Sequence, residues 1–141
     1  LAHHIWDRMQ SRLALGDWAG VRAVFDTLET ARRDRRPVGT AVDFTFTNAW
    51  LLAAVGDTAS ALRQLDITLS ALPTLSRHAV SELVQAAALP RTMAWRAELA
   101  LARGDRQNAA RWASAVAALW SNPDVEFHPI LHRMREIAKG G

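Results

Sequence analysis

The sequence contains no cysteine. Disulfides, thiolate zinc sites and a cysteine nucleophile are excluded, although the compartment is not fixed by that absence. Long apolar runs are missing as well. A membrane helix needs about 18–20 consecutive apolar residues, and the longest uninterrupted run here is Ala49 to Val55. No signal-peptide pattern opens the chain. Lysine is nearly absent, one against sixteen arginines. With so much alanine, that bias reads as the mark of a GC-rich genome rather than of a nucleic-acid surface, and the net charge of +3 is modest. Phosphate-binding loops of the GxxxxGK and GxGxxG types are absent, and so is the GxSxG nucleophile pattern.

Half of the 141 residues are hydrophobic, enough for one domain with a real core. The clearest organisation lies in residues 94–120, AWRAELALARGDRQNAARWASAVAALW. Gly104 closes an Ala- and Leu-rich segment, and Asp105 opens the next. Glycine tolerates the left-handed conformation that ends many helices. Aspartate suits the next N-cap, because its carboxylate accepts orphan backbone N–H groups. Beyond the break, Ala109, Trp112, Ala113, Val116, Leu119 and Trp120 follow a helical period. Gly56-Asp57 and Gly16-Asp17 repeat the break. After Asp57 the stripe is Ala61, Leu62, Leu65, Leu69 and Leu72; after Asp17 it is Val21, Val24, Phe25 and Leu28. Gly16 and Gly56 are 40 residues apart, Gly56 and Gly104 are 48. Repeats of that length point to solenoids.

These three helix–Gly-Asp–helix units resemble tetratricopeptide repeats (TPR). In that family a small residue stands seven positions before the glycine of the turn and an alanine five after it. Ala49 and Ala97 match the first, Ala61 and Ala109 the second, and Pro73 matches the closing proline. The first unit departs, with Met9 and Val21 at these places, and the family's large aromatic of the first helix is replaced by Leu52 and Ala100. The tail RWASAVAALWSNPD also resembles C-terminal helical regions of large bacterial signalling proteins such as serine/threonine kinases. The resemblance implies an all-α, right-handed array of antiparallel helix pairs, with units at about 3–33, 40–73 and 90–121. It also implies a concave groove lined by the first helix of each pair. Carried over by position, the groove residues are Trp6, Gln10, Asp43, Phe46, Trp50, Arg91 and Glu98. The family's carboxylate clamp of paired Lys/Arg and Asn is not present; Asn48 is one position off.

Other stretches fill in the chain. Residues 40–55 are apolar nearly all round, so a helix there is buried on more than one side. The run RRDRRPVG, 32–39, is either a solvated connection or a holder of phosphate or an acidic partner. The extra length between the second and third units predicts a short helix over 76–88, with Val80, Leu83, Val84 and Ala87 on its stripe. Pro90 then restarts the chain at a first helical turn. Asn122-Pro123-Asp124 signals a capping helix over 124–138, carrying Ile130, Met134 and Ile137, with its regular part starting near Pro129. Repeat arrays need such a cap over their last apolar face.

Chemistry is sparse. His3 and His4 are adjacent and point apart, a poor metal pair. His128 and His132 are four apart with Glu126 nearby, but zinc needs a third ligand in place. Acidic residues fall mostly at caps and in i, i+4 pairs such as Arg22 with Asp26. The expectation is therefore a chain without catalysis, cofactor or metal site, without nucleic-acid binding or membrane insertion. Its function would be a protein- or peptide-binding regulatory module excised from a larger bacterial protein, in the cytoplasm or as an extracytoplasmic domain of a membrane-anchored one. The alternative is a small-molecule sensor, in which the extra helix closes an aromatic-lined cavity over Trp50 and Trp95. Self-association through the first helix is a third reading.

Overall fold

The hinges decide the architecture. In a computed structural model, which describes residues 2–33, 42–74 and 81–140 and all of their side chains except those of 2–6 and 28–33, positive φ occurs at three glycines: Gly16 (+67°), Gly56 (+87°) and Gly104 (+79°). At each the same two hydrogen bonds close the preceding helix. The glycine N–H donates to the carbonyl three residues back: Leu13, Ala53 and Leu101, at 3.0, 3.0 and 2.9 Å. The following aspartate N–H donates to the carbonyl five back: Arg12, Leu52 and Ala100, at 2.9, 2.8 and 2.9 Å. This is the Schellman arrangement, and it satisfies carbonyls that a helix end would otherwise orphan. Each aspartate carboxylate then accepts the N–H three residues on: Gly20 at 2.8 Å, Ser60 at 3.0 Å and Asn108 at 3.2 Å. Two residues thus stop one helix and start another, three times over.

The elements that result are α1 (Ala2–Ala14), α2 (Trp18–Arg33), α3 (Val42–Ala54), α4 (Thr58–Ala71), α5 (Leu83–Ala102), α6 (Arg106–Leu119) and α7 (His128–Lys139), with 3-10 turns at Leu72–Thr74 and Val125–Phe127. The fold is all-α, with no strand among the described residues. The pairs α1–α2, α3–α4 and α5–α6 pack on themselves. In addition α3 and α4 pack on α5, and α5 and α6 on α7. Pro73 lies in the 3-10 turn that ends α4. Pro129 occupies the first turn of α7, where a missing N–H costs nothing.

Six residues mark where the paired helices meet. Met9, Ala49 and Ala97 stand seven before each hinge glycine; Val21, Ala61 and Ala109 stand five after. All six are 0 % exposed. Around them one continuous core includes Phe25, Leu51, Leu65, Leu69, Met93, Val116 and Met134. Polar contacts tie the helices where the core does not. Thr45 Oγ1 and Thr68 Oγ1 are 2.7 Å apart between α3 and α4. Arg96 of α5 reaches Asp66 of α4 through Nε at 2.6 Å and Nη2 at 3.3 Å. Arg22 of α2 meets the α4 cap, Asp57, at 2.9 Å.

Three expectations need correction. First, the chain does not restart at Pro90: α5 runs unbroken from Leu83 to Ala102 with Pro90 inside it. An interior proline removes a hydrogen bond and crowds the preceding turn, about 3 kcal/mol. Here helix on both sides is anchored, by buried Gln85 and Ala88 before it and Thr92 and Met93 after it. Tertiary contact outweighs the local break. Second, the expected stripe of 76–88 is inverted. Leu83 and Val84 are 84 % and 62 % exposed, while Gln85 is buried. Residues 75–80, including Val80, lie outside the described residues, as do 34–39 of the arginine-rich connection. Third, Leu119 is 55 % exposed and drops out of the expected stripe, whereas Trp120, just past the end of α6, packs against the core.

Candidate functional site

The groove forms where α3, α5 and α7 lie side by side. On α5, Arg91, Ala94, Trp95 and Glu98 follow i, i+3, i+4, i+7 spacing and share one face. On α7, Pro129 with Arg133 and Ile130 with Met134 form two adjacent i, i+4 rows, which also share one face. Phe46 of α3 completes the lining of an open groove of about 480 Å³. The floor is apolar: Ala94 and Met134 are buried, and Phe46, Trp95 and Ile130 are half-buried. The Trp95 indole N–H is buried and meets no acceptor among the described residues.

Charges stand at the rim. Arg133 donates to Glu98 through Nε at 2.8 Å and Nη2 at 3.1 Å, a two-pronged pair joining α7 to α5. The Glu98 carboxylate holds the Arg133 guanidinium proton still more firmly than usual. Arg91 is held differently. Its guanidinium carbon lies 4.8 Å over the Phe127 ring, and Phe127 rests in turn on Trp120, with ring centroids 4.7 Å apart.

The expected groove residues divide. Phe46, Arg91 and Glu98 come together in this groove, and Trp95, expected in the alternative cavity, joins them. Trp50 is 46 % exposed and is not part of the lining. Gln10 is exposed on α1, away from the groove. Trp6 falls on α1, but its side chain is outside the described ones. Asp43 serves the fold instead: its carboxylate accepts from Gln85 Nε2 at 2.6 Å, while Gln85 Oε1 accepts the N–H of Val42 at 2.7 Å and of Asp43 at 3.4 Å. Gln85 thereby caps α3 from another helix. Pro129, Ile130, Arg133 and Met134 were not foreseen as lining. Ile130 and Met134 were legible as an apolar stripe, and Arg133 follows from the same helical register.

Of the helix expected over 76–88 to close a cavity over Trp50 and Trp95, the described part does not line the groove, and residues 76–80 lie outside the described residues. Residues 83–88 extend α5 toward the start of α3, and none lines the groove. His128 Nε2 lies 3.2 Å from the Pro123 carbonyl oxygen, and among the described residues no group of three His, Asp or Glu side chains could hold a metal ion. Among those residues, too, no helix is long and apolar enough to cross a membrane. Compared with family models, curated proteins and solved structures, the chain matches none.

Proposed function

We propose that this chain is a TPR-like helical array that binds a protein or peptide segment, as a regulatory module within a larger bacterial signalling protein and without catalysis of its own. The observation that carries this reading is the open apolar groove shared by α3, α5 and α7. An extended or helical segment can enter such a groove from solvent and leave side chains on its apolar floor. Aromatic residues and arginines, the favoured anchors at protein interfaces, stand at its floor and rim. The recurring hinge and the six buried crossing positions support the TPR-like assignment.

The sensor reading keeps one point in its favour. About 480 Å³ falls within the size of small-molecule pockets. Such pockets enclose most of their ligand, however, and this one is open to solvent.

The test is peptide display against the chain, with Phe46→Asp as the counter-target. Phe46 is half-buried in the groove floor, so the substitution places a charge there. Selected peptides should bind the parent chain and lose at least tenfold against Phe46→Asp, whose helicity should match. If no peptide is enriched while a small-molecule panel gives saturable thermal stabilisation, the sensor reading replaces this one.

A further inference from the structure

Arg91 is the one rim charge of the groove that has no ion-pair partner among the described residues. Glu98 and Arg133 neutralise each other. Asp124 and Glu126, on the stretch that carries Phe127, make no ion pair with Arg91. Its guanidinium is nonetheless not loose, because it lies on the face of Phe127, which rests on Trp120. A guanidinium stacked in this way keeps its in-plane N–H donors free, already oriented for a planar two-oxygen acceptor. Two turns along the same helix face, roughly 10 Å away at 1.5 Å per residue, the Glu98–Arg133 pair bounds the other end. Between them lies the apolar floor.

Resting on the peptide-binding reading, we infer that the groove selects a segment in which an aspartate or glutamate side chain stands beside a bulky apolar residue. The apolar side chain occupies the floor over Trp95 and Ile130, and the carboxylate meets Arg91. Charge complementarity favours a single negative charge. One cation without an ion-pair partner among the described residues answers a monoanion, whereas a phosphate dianion would leave its second charge unmatched, because Arg133 is already neutralised by Glu98.

The experiment measures binding of blocked peptides, acetylated and amidated so that no terminal charge competes. One carries leucines flanking glutamate; three others replace the glutamate with glutamine, lysine or phosphoserine. Against the parent chain, glutamate should bind about fivefold more tightly than glutamine, the range of a partly exposed charge pair, and lysine more weakly than glutamine. Arg91→Gln should erase the difference between glutamate and glutamine. Arg91 is exposed, so the fold should survive. Arg111→Gln is the control. It removes the same charge from another aromatic-stacked arginine, 5.6 Å over Trp112 on α6, and should leave the preference intact.

Equal affinity for glutamate and glutamine, with binding still lost in Phe46→Asp, overturns this inference and leaves the peptide-binding reading standing. An equal loss of preference in Arg111→Gln also overturns it, since general charge would then explain the result. Tighter binding of phosphoserine than glutamate reassigns the site to phosphate. Absence of binding by every peptide overturns both.

Discussion

A single residue sets each hinge, and its energy is local. Gly56 has φ of +87°, and a Cβ built there would meet nothing within 4 Å. The cost of Gly56→Ala is therefore conformational rather than steric against neighbours, about 1–2 kcal/mol for an L-residue in the left-handed region. Urea denaturation should show that loss, and Gly56→Asn should lose less. The aspartates that follow act through their charge. The Gly20 N–H holds Asp17 below the usual carboxylate range, with Arg12 assisting; the Ser60 N–H does so for Asp57; the side chain and N–H of Asn108 do so for Asp105. A depressed folded pKa means that the unfolded chain binds the proton first as pH falls. The stabilisation is complete above the ordinary aspartate value of about 4 and is lost below it, as the folded carboxylates protonate. Asp57→Asn keeps an acceptor but cannot titrate. It should lower stability at pH 7 and reduce the drop between pH 4 and pH 2, read from urea midpoints.

At the scale of elements, Gln85 does what pattern reading assigns to no glutamine. It is 9 % exposed in α5, yet its amide serves the first turn of α3. Gln85→Leu should leave the Val42 and Asp43 N–H groups without their acceptor, a loss of about 1–3 kcal/mol. Gln85→Glu keeps the acceptor but sets a second carboxylate against Asp43, where Nε2 now lies 2.6 Å from the oxygen. Like charges that close share a proton, so one pKa rises in the folded state. The variant should be weak at pH 7 and recover toward the parent as pH falls to 5, the opposite of the hinge trend. This residue also explains where the sequence was legible. The Gly-Asp hinges and the stripe residues Ala61 and Ala109 depend on chemistry within one hairpin, and spacing located them, while Ala49 and Ala97 were reached through the resemblance to tetratricopeptide repeats. The face of 83–88 depends on α3, 43 residues from Gln85 to Val42, and hydropathy placed Leu83 and Val84 inward when Gln85 is the buried side chain. Asp43 was misread for the same reason. Phe46, Arg91 and Glu98 were reached through the groove positions that the resemblance implies, and helix register keeps Arg91 and Glu98 on one face of α5. The residues of α7 were not, because nothing in their own spacing states which side of α5 that helix will cover.

The whole molecule distributes its contacts along the chain. The first hairpin pairs α1 with α2, whereas α5 packs on α3, α4, α6 and α7 and carries ten buried residues, among them Met93, Ala97 and Leu99. Its polar ties also run outward: Gln85 to α3, Arg96 to α4 and Glu98 to α7. Arrays held by neighbour contacts lose their ends before their middle, because an end unit surrenders one interface and a central one surrenders two. Native-state hydrogen exchange should therefore find the slowest amides in α5, near the global unfolding free energy, and the fastest helical amides in α1. Added denaturant should bring α5 exchange into the global regime last. Disruption of the Arg96–Asp66 contact sharpens the test. Arg96 is 9 % exposed and Asp66 is exposed, so Asp66→Asn leaves a nearly buried guanidinium without its countercharge, at a cost of about 1–3 kcal/mol. In a neighbour-coupled array that cost appears as faster exchange in α4 and the facing half of α5, with α1 little changed. Equal acceleration of every helix would instead show one cooperative unit, and the description of the chain as an array of separable pairs would fail.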